Sequence, residues 1–272
     1  MSFQKFEPRA PSAQTAVDVF AGKWASDLSR VMAVANSGGA DLFVSDPRPK
    51  WAAEAFGKGT GRLDGMRVLE LGPLEGGHSY QLEKLGAAAV VAIDTNTEAY
   101  LKCLIVKEVL GLTRCEFRLG DALEYMKTTA DRYDVVFCSG LLYHMKNPIE
   151  LIKACCDVGN RCFVWSHYYN EASGNNGGQR MPRHVTEDGF ETTYHELESQ
   201  DQGAGTDLGG HEGAGGWMGQ EEIFACFRHF GLDEIQVFED APLHPNGAAM
   251  SFAASRRWAE TFVRVTAPPK HR

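Results

Sequence analysis

The 272-residue chain lacks any run of about eighteen apolar residues, which excludes a membrane-spanning helix. Its first stretch, MSFQKFEPRAPSAQ, has no apolar core of a secretory leader, so a cytoplasmic setting is expected. Basic charge is short: 27 Lys and Arg stand against 36 Asp and Glu, a formal net charge of −9. Gripping a phosphate backbone needs a basic stripe that displaces counterions, so nucleic acid is disfavoured as a partner. The 7 cysteines are odd in number and lie mostly in apolar patterns, and the adjacent Cys155 and Cys156 have no C-x-x-C spacing. They read as reduced core thiols, neither a disulfide framework nor a zinc site. Neither H-E-x-x-H nor a comparable spacing occurs, although His184, His195, Glu196, His211 and Glu212 crowd one region, so no metal is expected. With 43% hydrophobic residues the chain can bury a sizeable core.

What is present is a rhythm. From Met66, the strand-like runs MRVLEL, AVVAID, CEFRLGD, DVVFCSG and RCFVWSH are separated by helical stretches such as TEAYLKCLIVKEVLGL and PIELIKACCDV. Continuous Val/Ile/Phe strands separated by helices imply a parallel sheet covered on both faces. GQEEIFACFRHFG reads as a further helix, and EIQVFED and AAMSFAASR as two strands whose short connection makes them antiparallel. The expected fold is α/β, a doubly wound, mostly parallel seven-stranded sheet with antiparallel last strands. Residues 1–62 are expected to form an N-terminal helical cover. One long helix should start at Ser12, with Val17, Phe20, Trp24, Leu28 and Val31 as its apolar stripe. A shorter helix should cover PKWAAEAFG. Within the main domain, 63–272, the glycine-rich stretch at about 168–218 has no sustained period and is expected to be a lid without regular structure.

The stretch VLELGPLEGGHSYQLEKLG joins a strand to a helix through Gly72, Gly76 and Gly77. A helix start presents unpaired N–H groups and a positive dipole end, and glycine lets a ligand approach the backbone closely. Three acids end the first three strands: Glu70, Asp94 and Asp121. Asp94 is placed to accept from both ribose hydroxyls and opposes a ribose phosphate. Glu70 repels a pyrophosphate and suits an amino group or a sulfonium centre. Asp121 suits an adenine amino group with the Ala122 N–H donating to the ring, and serves equally as the N-cap of ALEYMK. Thr95 and Ser139, at the ends of the second and fourth strands, complete the expected cofactor contacts.

VLELGPLEGGHS, VVAIDTN, FRLGDAL and YDVVFCSGLLYHMKNPIELI together resemble class I S-adenosylmethionine-dependent methyltransferases, over about Met66 to Val164. That family's loop reads acid-x-G-x-G-x-G. Glu70, Gly72 and Gly76 match it, and Leu74 stands where the middle glycine is usual. The resemblance implies S-adenosylmethionine as cofactor and S-adenosylhomocysteine as product. The loop and Gly72 would face the methionine part, Asp94 the ribose and Asp121 the adenine end. LYH…NP also resembles the tRNA wobble-uridine carboxymethyltransferase branch. A short-chain nicotinamide reductase is the main rival. Its Tyr-x-x-x-Lys, here YQLEK, falls in the first helix after the loop, where it cannot meet a nicotinamide.

A methyl group on a sulfonium is already activated, so the protein has to align the acceptor and, where it carries a proton, supply a base. Tyr143 and His144 follow the fourth strand and His167 the fifth; these are the expected catalytic residues. Tyr168, Tyr169 and Arg180 are the expected acceptor contacts, the tyrosines by stacking and the arginine by pairing with an anion. The sequence therefore reads as a methyltransferase acting on oxygen or nitrogen of a small-molecule acceptor. The alternatives are a tRNA-modifying alkyltransferase and a non-catalytic S-adenosylmethionine-binding protein. Nothing in the sequence speaks to oligomeric state.

Overall fold

A computed structural model of the protein describes residues 6–173, 178–197 and 215–257. The first helix, α1 (Ala13–Val17), begins with a capping box in which Ser12 accepts from the Thr15 N–H. It runs for only five residues, not the long helix expected from the apolar spacing. Gly22 has φ +75°, and the chain beyond it is drawn onto the main domain by side chains there. The spacing identified four of its five residues as buried nonetheless: Val17, Phe20, Trp24 and Leu28 are buried, and Val31 is only partly so. Irregular chain and two short 3-10 turns present them instead. The next helix, α2 (Arg48–Phe56), has Pro49 in its first turn and ends at Gly57, as expected.

The alternating body follows: β1 (Arg67–Leu71), α3 (Gly77–Lys84), β2 (Ala89–Asp94), α4 (Thr97–Leu110), β3 (Cys115–Leu119), α5 (Ala122–Thr128), β4 (Val135–Ser139), α6 (Pro148–Val158) and β5 (Arg161–His167). Side chains alternate across a strand, so each contributes to two cores. Val68, Val90, Ala92 and Phe137 join the cluster that holds Leu82, Cys103 and the N-terminal segment. Leu69, Leu71, Ile93 and Val136 join the cluster under α5 and α6. Each of the 7 cysteines is a buried thiol.

After β5 the chain departs from the sheet into an antiparallel hairpin, β6 (Arg180–Glu187) and β7 (Phe190–Leu197). This corrects the expectation of a lid without regular structure. Asp188 and Gly189, with φ +48° and +77°, make the two-residue turn that hairpins favour. The segments 174–177 and 198–214 of the expected lid, with His211 and Glu212, lie outside the described residues. The chain returns through α7 (Gln220–His229), β8 (Glu234–Ala241) and β9 (Ala249–Ser255). The seven-stranded sheet has the order β3-β2-β1-β4-β5-β9-β8; the first five strands are parallel and β9 runs antiparallel to both its neighbours. Among the described residues no helix is long and apolar enough to cross a membrane.

Candidate cofactor and acceptor site

Parallel strands deliver their C-terminal ends to one side of the sheet, and there β1 to β4 open into a cleft. A hollow of about 630 Å³, open to solvent, is bounded by Gly72, Asp94, Thr95, Asp121, Ala122 and His144. An adjoining hollow of about 330 Å³ shares Gly72, Asp94 and Leu141 with it and adds Leu74, Asn96 and Ser139. Asp94 sits where the two meet, 9% exposed. Its Oδ1 accepts from the Asn96 N–H at 2.8 Å and its Oδ2 from the Leu74 N–H at 3.4 Å. Burial pushes the Asp94 carboxyl above its ordinary value, against these bonds. Asp121 caps a helix and faces the cleft. Its Oδ1 caps α5, accepting from Leu123 and Glu124 at 2.8 and 3.1 Å, and the residue also lines the larger hollow.

The glycine loop divides into a ligand-facing part and a packing part. Gly72 lines both hollows with φ +69°, and a Cβ there would meet nothing within 4 Å. Leu74, in place of the family's middle glycine, has φ +55° and so holds the left-handed backbone that glycine adopts freely. Gly76 and Gly77 do not border the hollows. Gly76 is the left-handed N-cap of α3, packed toward Phe117, and a Cβ on Gly77 would lie 2.8 Å from Leu42 Cβ. Gly76 thus lets α3 start close to Phe117, and Gly77 lets the helix pack against the N-terminal segment at Leu42. Glu70 lies on the packing side as well. It points to the α3 side of the sheet, 1% exposed, where Ser79 donates to its Oε2 and its Oε1 has no partner among the described residues. Burial pushes the Glu70 carboxyl up to about 7, opposed by the Ser79 bond.

The loop is also tied to the chain's first segment. Glu75, 1% exposed, accepts from the Ala25 and Ser26 N–H groups at 2.9 Å each and from Lys102 Nζ at 3.0 Å. Lys102 donates in turn to the Lys23 carbonyl at 2.5 Å.

Next to the cleft, at the ends of β4 and β5, aromatic rings gather. Tyr143 stands edge-on to His167 at 4.7 Å and Trp165 at 5.8 Å, and tilts against His144 at 4.1 Å. His167 stacks on Trp217 at 5.5 Å. Its Nδ1 lies 2.9 Å from the Gly247 carbonyl, which can only accept, so Nδ1 carries the proton and Nε2 the lone pair. Burial lowers the His167 pKa despite its carbonyl partners, and burial with the nearby His167 lowers that of His144. Both imidazoles are therefore neutral at pH 7.

The hairpin roofs the segment after β4. Trp217 Nε1 donates to the Tyr143 carbonyl at 3.2 Å, Tyr194 Oη to Asn147 Oδ1 at 2.8 Å, and Asn147 Nδ2 to the Glu187 carboxylate at 2.7 Å. Arg180 lies over Trp217, 3.8 Å from its ring centre, and donates to the His195 and Gly215 carbonyls; burial lowers its pKa to about 10. Tyr169 stacks on His195 at 3.4 Å. Tyr168, expected to meet the acceptor, packs instead in the core under α6 and α7 and donates to Asp240 Oδ1 at 2.7 Å. Arg48 was missed: its Nη1 donates to Ser139 Oγ at 2.9 Å across 91 residues of sequence. Trp165 and Trp217 were missed too, although a tryptophan at the end of the strand RCFVWSH was a usable signal. Among the described residues no three His, Cys, Asp or Glu side chains gather as a metal site.

Fold and cleft define a Rossmann-like α/β protein whose cleft opens at the C-terminal ends of its parallel strands. A family model described as methyltransferase domain matches residues 62–201, and the chain belongs to that family. The N-terminal domain of EvdMO1, crystallised with SAH, shares the fold with a TM-score of 0.65 and 23% identity, over 90% of this chain and 95% of that one. The tRNA U34 carboxymethyltransferase of Desulfotalea psychrophila is 28% identical over 95 residues, 35% of this chain and 29% of that protein. That of Pseudomonas aeruginosa PAO1 is 33% identical over 99 residues, 36% and 30% respectively. The matched stretch thus spans less than a third of these curated relatives.

Proposed function

We propose that this methyltransferase takes its methyl group from S-adenosylmethionine and transfers it to an oxygen or nitrogen of a small-molecule acceptor in the cytoplasm, releasing S-adenosylhomocysteine. The observation that carries the reading is the convergence of Gly72, Asp94, Asp121 and Ala122, from the ends of three neighbouring strands, on one hollow. The donor set fits the cofactor. The Asp94 carboxylate accepts from ribose hydroxyls, and Asp121 with the Ala122 N–H meets the base edge. Ile93, Leu123 and Leu151 give that hollow the apolar wall a flat base needs. When bound, S-adenosylmethionine supplies a methyl already activated by its sulfonium.

The chain's own residues do the rest. Tyr143, Trp165, His167 and Trp217 form an aromatic wall that orients a small acceptor and keeps water away. His167 is the better base of the two histidines, because the Gly247 carbonyl fixes its tautomer with Nε2 ready to take a proton. His144 borders the cofactor hollow and positions the acceptor from the other side. A tRNA acceptor is a second reading, favoured by the curated relatives and opposed by the net charge of −9.

Calorimetric titration with S-adenosylmethionine and S-adenosylhomocysteine tests the reading. Asp94→Ala should weaken both by about tenfold or more, the value of one or two charge-assisted bonds. With an acceptor found by screening, His167→Gln should lower kcat by roughly 10²-fold or more while leaving cofactor binding unchanged. No heat from either ligand in a folded sample sinks the proposal.

A further inference from the structure

A guanidinium from the N-terminal segment reaches the end of β4. Arg48 is gripped by Asp46, which is 8% exposed: Nε donates to Asp46 Oδ1 at 2.8 Å, Nη2 donates to Oδ2, and the Arg48 N–H donates to Oδ1 at 3.1 Å. His78 Nε2 holds the same carboxylate at 3.1 Å. Burial would raise the Asp46 carboxyl, but the Arg48 and His78 bonds outweigh it and keep it well below the usual range. Arg48 is thus a fixed cation, with its flat face over Trp165, 5.1 Å from the ring centre.

The hydrogen inventory of this group is incomplete. A guanidinium carries five N–H hydrogens. Asp46 takes two and Ser139 Oγ a third, at 2.9 Å. Two remain, one on each Nη nitrogen. Ser139 accepts from Arg48 and so keeps its own O–H to donate. Ser139 and Gly140 border the hollow that contains Gly72 and Asp94. Two fork hydrogens and one hydroxyl, beside a cleft and against an indole, match the two oxygens of a planar carboxylate. A dianion fits less well, because Asp46 already offsets the arginine's charge.

We propose that Arg48, oriented by Asp46 and joined by Ser139, is a carboxylate anchor at the end of β4. The inference rests on the methyltransferase reading for its two sources of carboxylate: the amino-acid end of the cofactor, or an acid group on the acceptor. One set of measurements separates them. Wild type, Arg48→Met and Arg48→Lys are titrated with S-adenosylhomocysteine and with 5′-methylthioadenosine, which lacks the amino-acid end. Benzoate is then titrated into the protein, empty and S-adenosylhomocysteine-loaded, with tryptophan fluorescence as readout.

If the cofactor supplies the carboxylate, Arg48→Met weakens S-adenosylhomocysteine by about tenfold or more and leaves methylthioadenosine unchanged. If the acceptor supplies it, S-adenosylhomocysteine is unaffected and benzoate binding to the loaded protein is lost with Arg48. Arg48→Lys keeps the charge without the fork and should show most of the same loss, so the test survives if the methionine variant fails to fold. Unchanged S-adenosylhomocysteine affinity, together with no Arg48-dependent benzoate binding, overturns the anchor. Failure of the wild type to bind either nucleoside would instead remove the cofactor reading, and benzoate with the empty protein would still read the anchor.

Discussion

Replacing Glu70 by glutamine should make the protein more stable at alkaline pH. The carboxyl is 1% exposed, accepts from Ser79, and is pushed by burial from an ordinary 4.5 up to about 7. A raised carboxyl means that the folded chain holds a proton the unfolded chain has released. Stability therefore falls as pH rises from about 4.5 through 7, and the loss is complete above 7. At about 1.4 kcal/mol per unit, one proton over that interval is worth about 3 kcal/mol. Glutamine has no proton to lose and can still accept from Ser79, so its variant should lack this slope. Urea melts of both proteins, without cofactor, at intervals from pH 5 to 8.5 measure the difference. The gap in favour of Glu70→Gln should widen with pH by about 3 kcal/mol in the ideal case. Parallel curves would refute the claim that Glu70 is ionised at a cost.

Leu74→Gly should leave stability within about 1 kcal/mol of wild type, because relief of the left-handed backbone offsets the lost side chain. Leu74→Val should cost more than the glycine, since a β-branched residue suits that conformation worst; equal losses in chemical melts would contradict the backbone argument. Glu75→Gln removes the charge partner of a lysine that is 7% exposed and should cost about 3 kcal/mol, moderated by Glu98 at 3.3 Å. Faster tryptic cleavage at Lys23 should accompany it, and an unchanged Tm with an unchanged digestion pattern would speak against the clasp.

Elements whose physics is local were legible in the sequence. Apolar runs with glycine stops placed β1 to β5 and the helices between them, and the short link before AAMSFAASR placed the antiparallel ending. The first helix misled because spacing of three or four reports burial, and tertiary bonds to Glu75 supplied burial without helix. The β6–β7 hairpin had a signal, Asp188-Gly189, that the surrounding glycine-rich chain concealed. Glu70 shows the limit of motif matching: its place at a strand end was right, but the two-residue alternation of the strand sends it under the helix. The same alternation divides His167, among the aromatic rings, from Tyr168, in the core. Arg48 left no local trace, since its partner Ser139 is 91 residues away.

The grip of Glu75 and Lys102 on residues 23–26 also has a consequence for synthesis. Ala25 precedes Glu75 by 50 residues and Lys23 precedes Lys102 by 79. At roughly 5–20 residues per second, residues 23–26 are made several seconds before their partners exist. During that interval Phe20, Trp24 and Leu28, all buried in the finished protein, have nothing to cover them. Residues 20–28 are thus made before residues 75–102 but settle only after them, and a ribosome-bound chaperone that shelters exposed apolar chain should raise the yield of this protein.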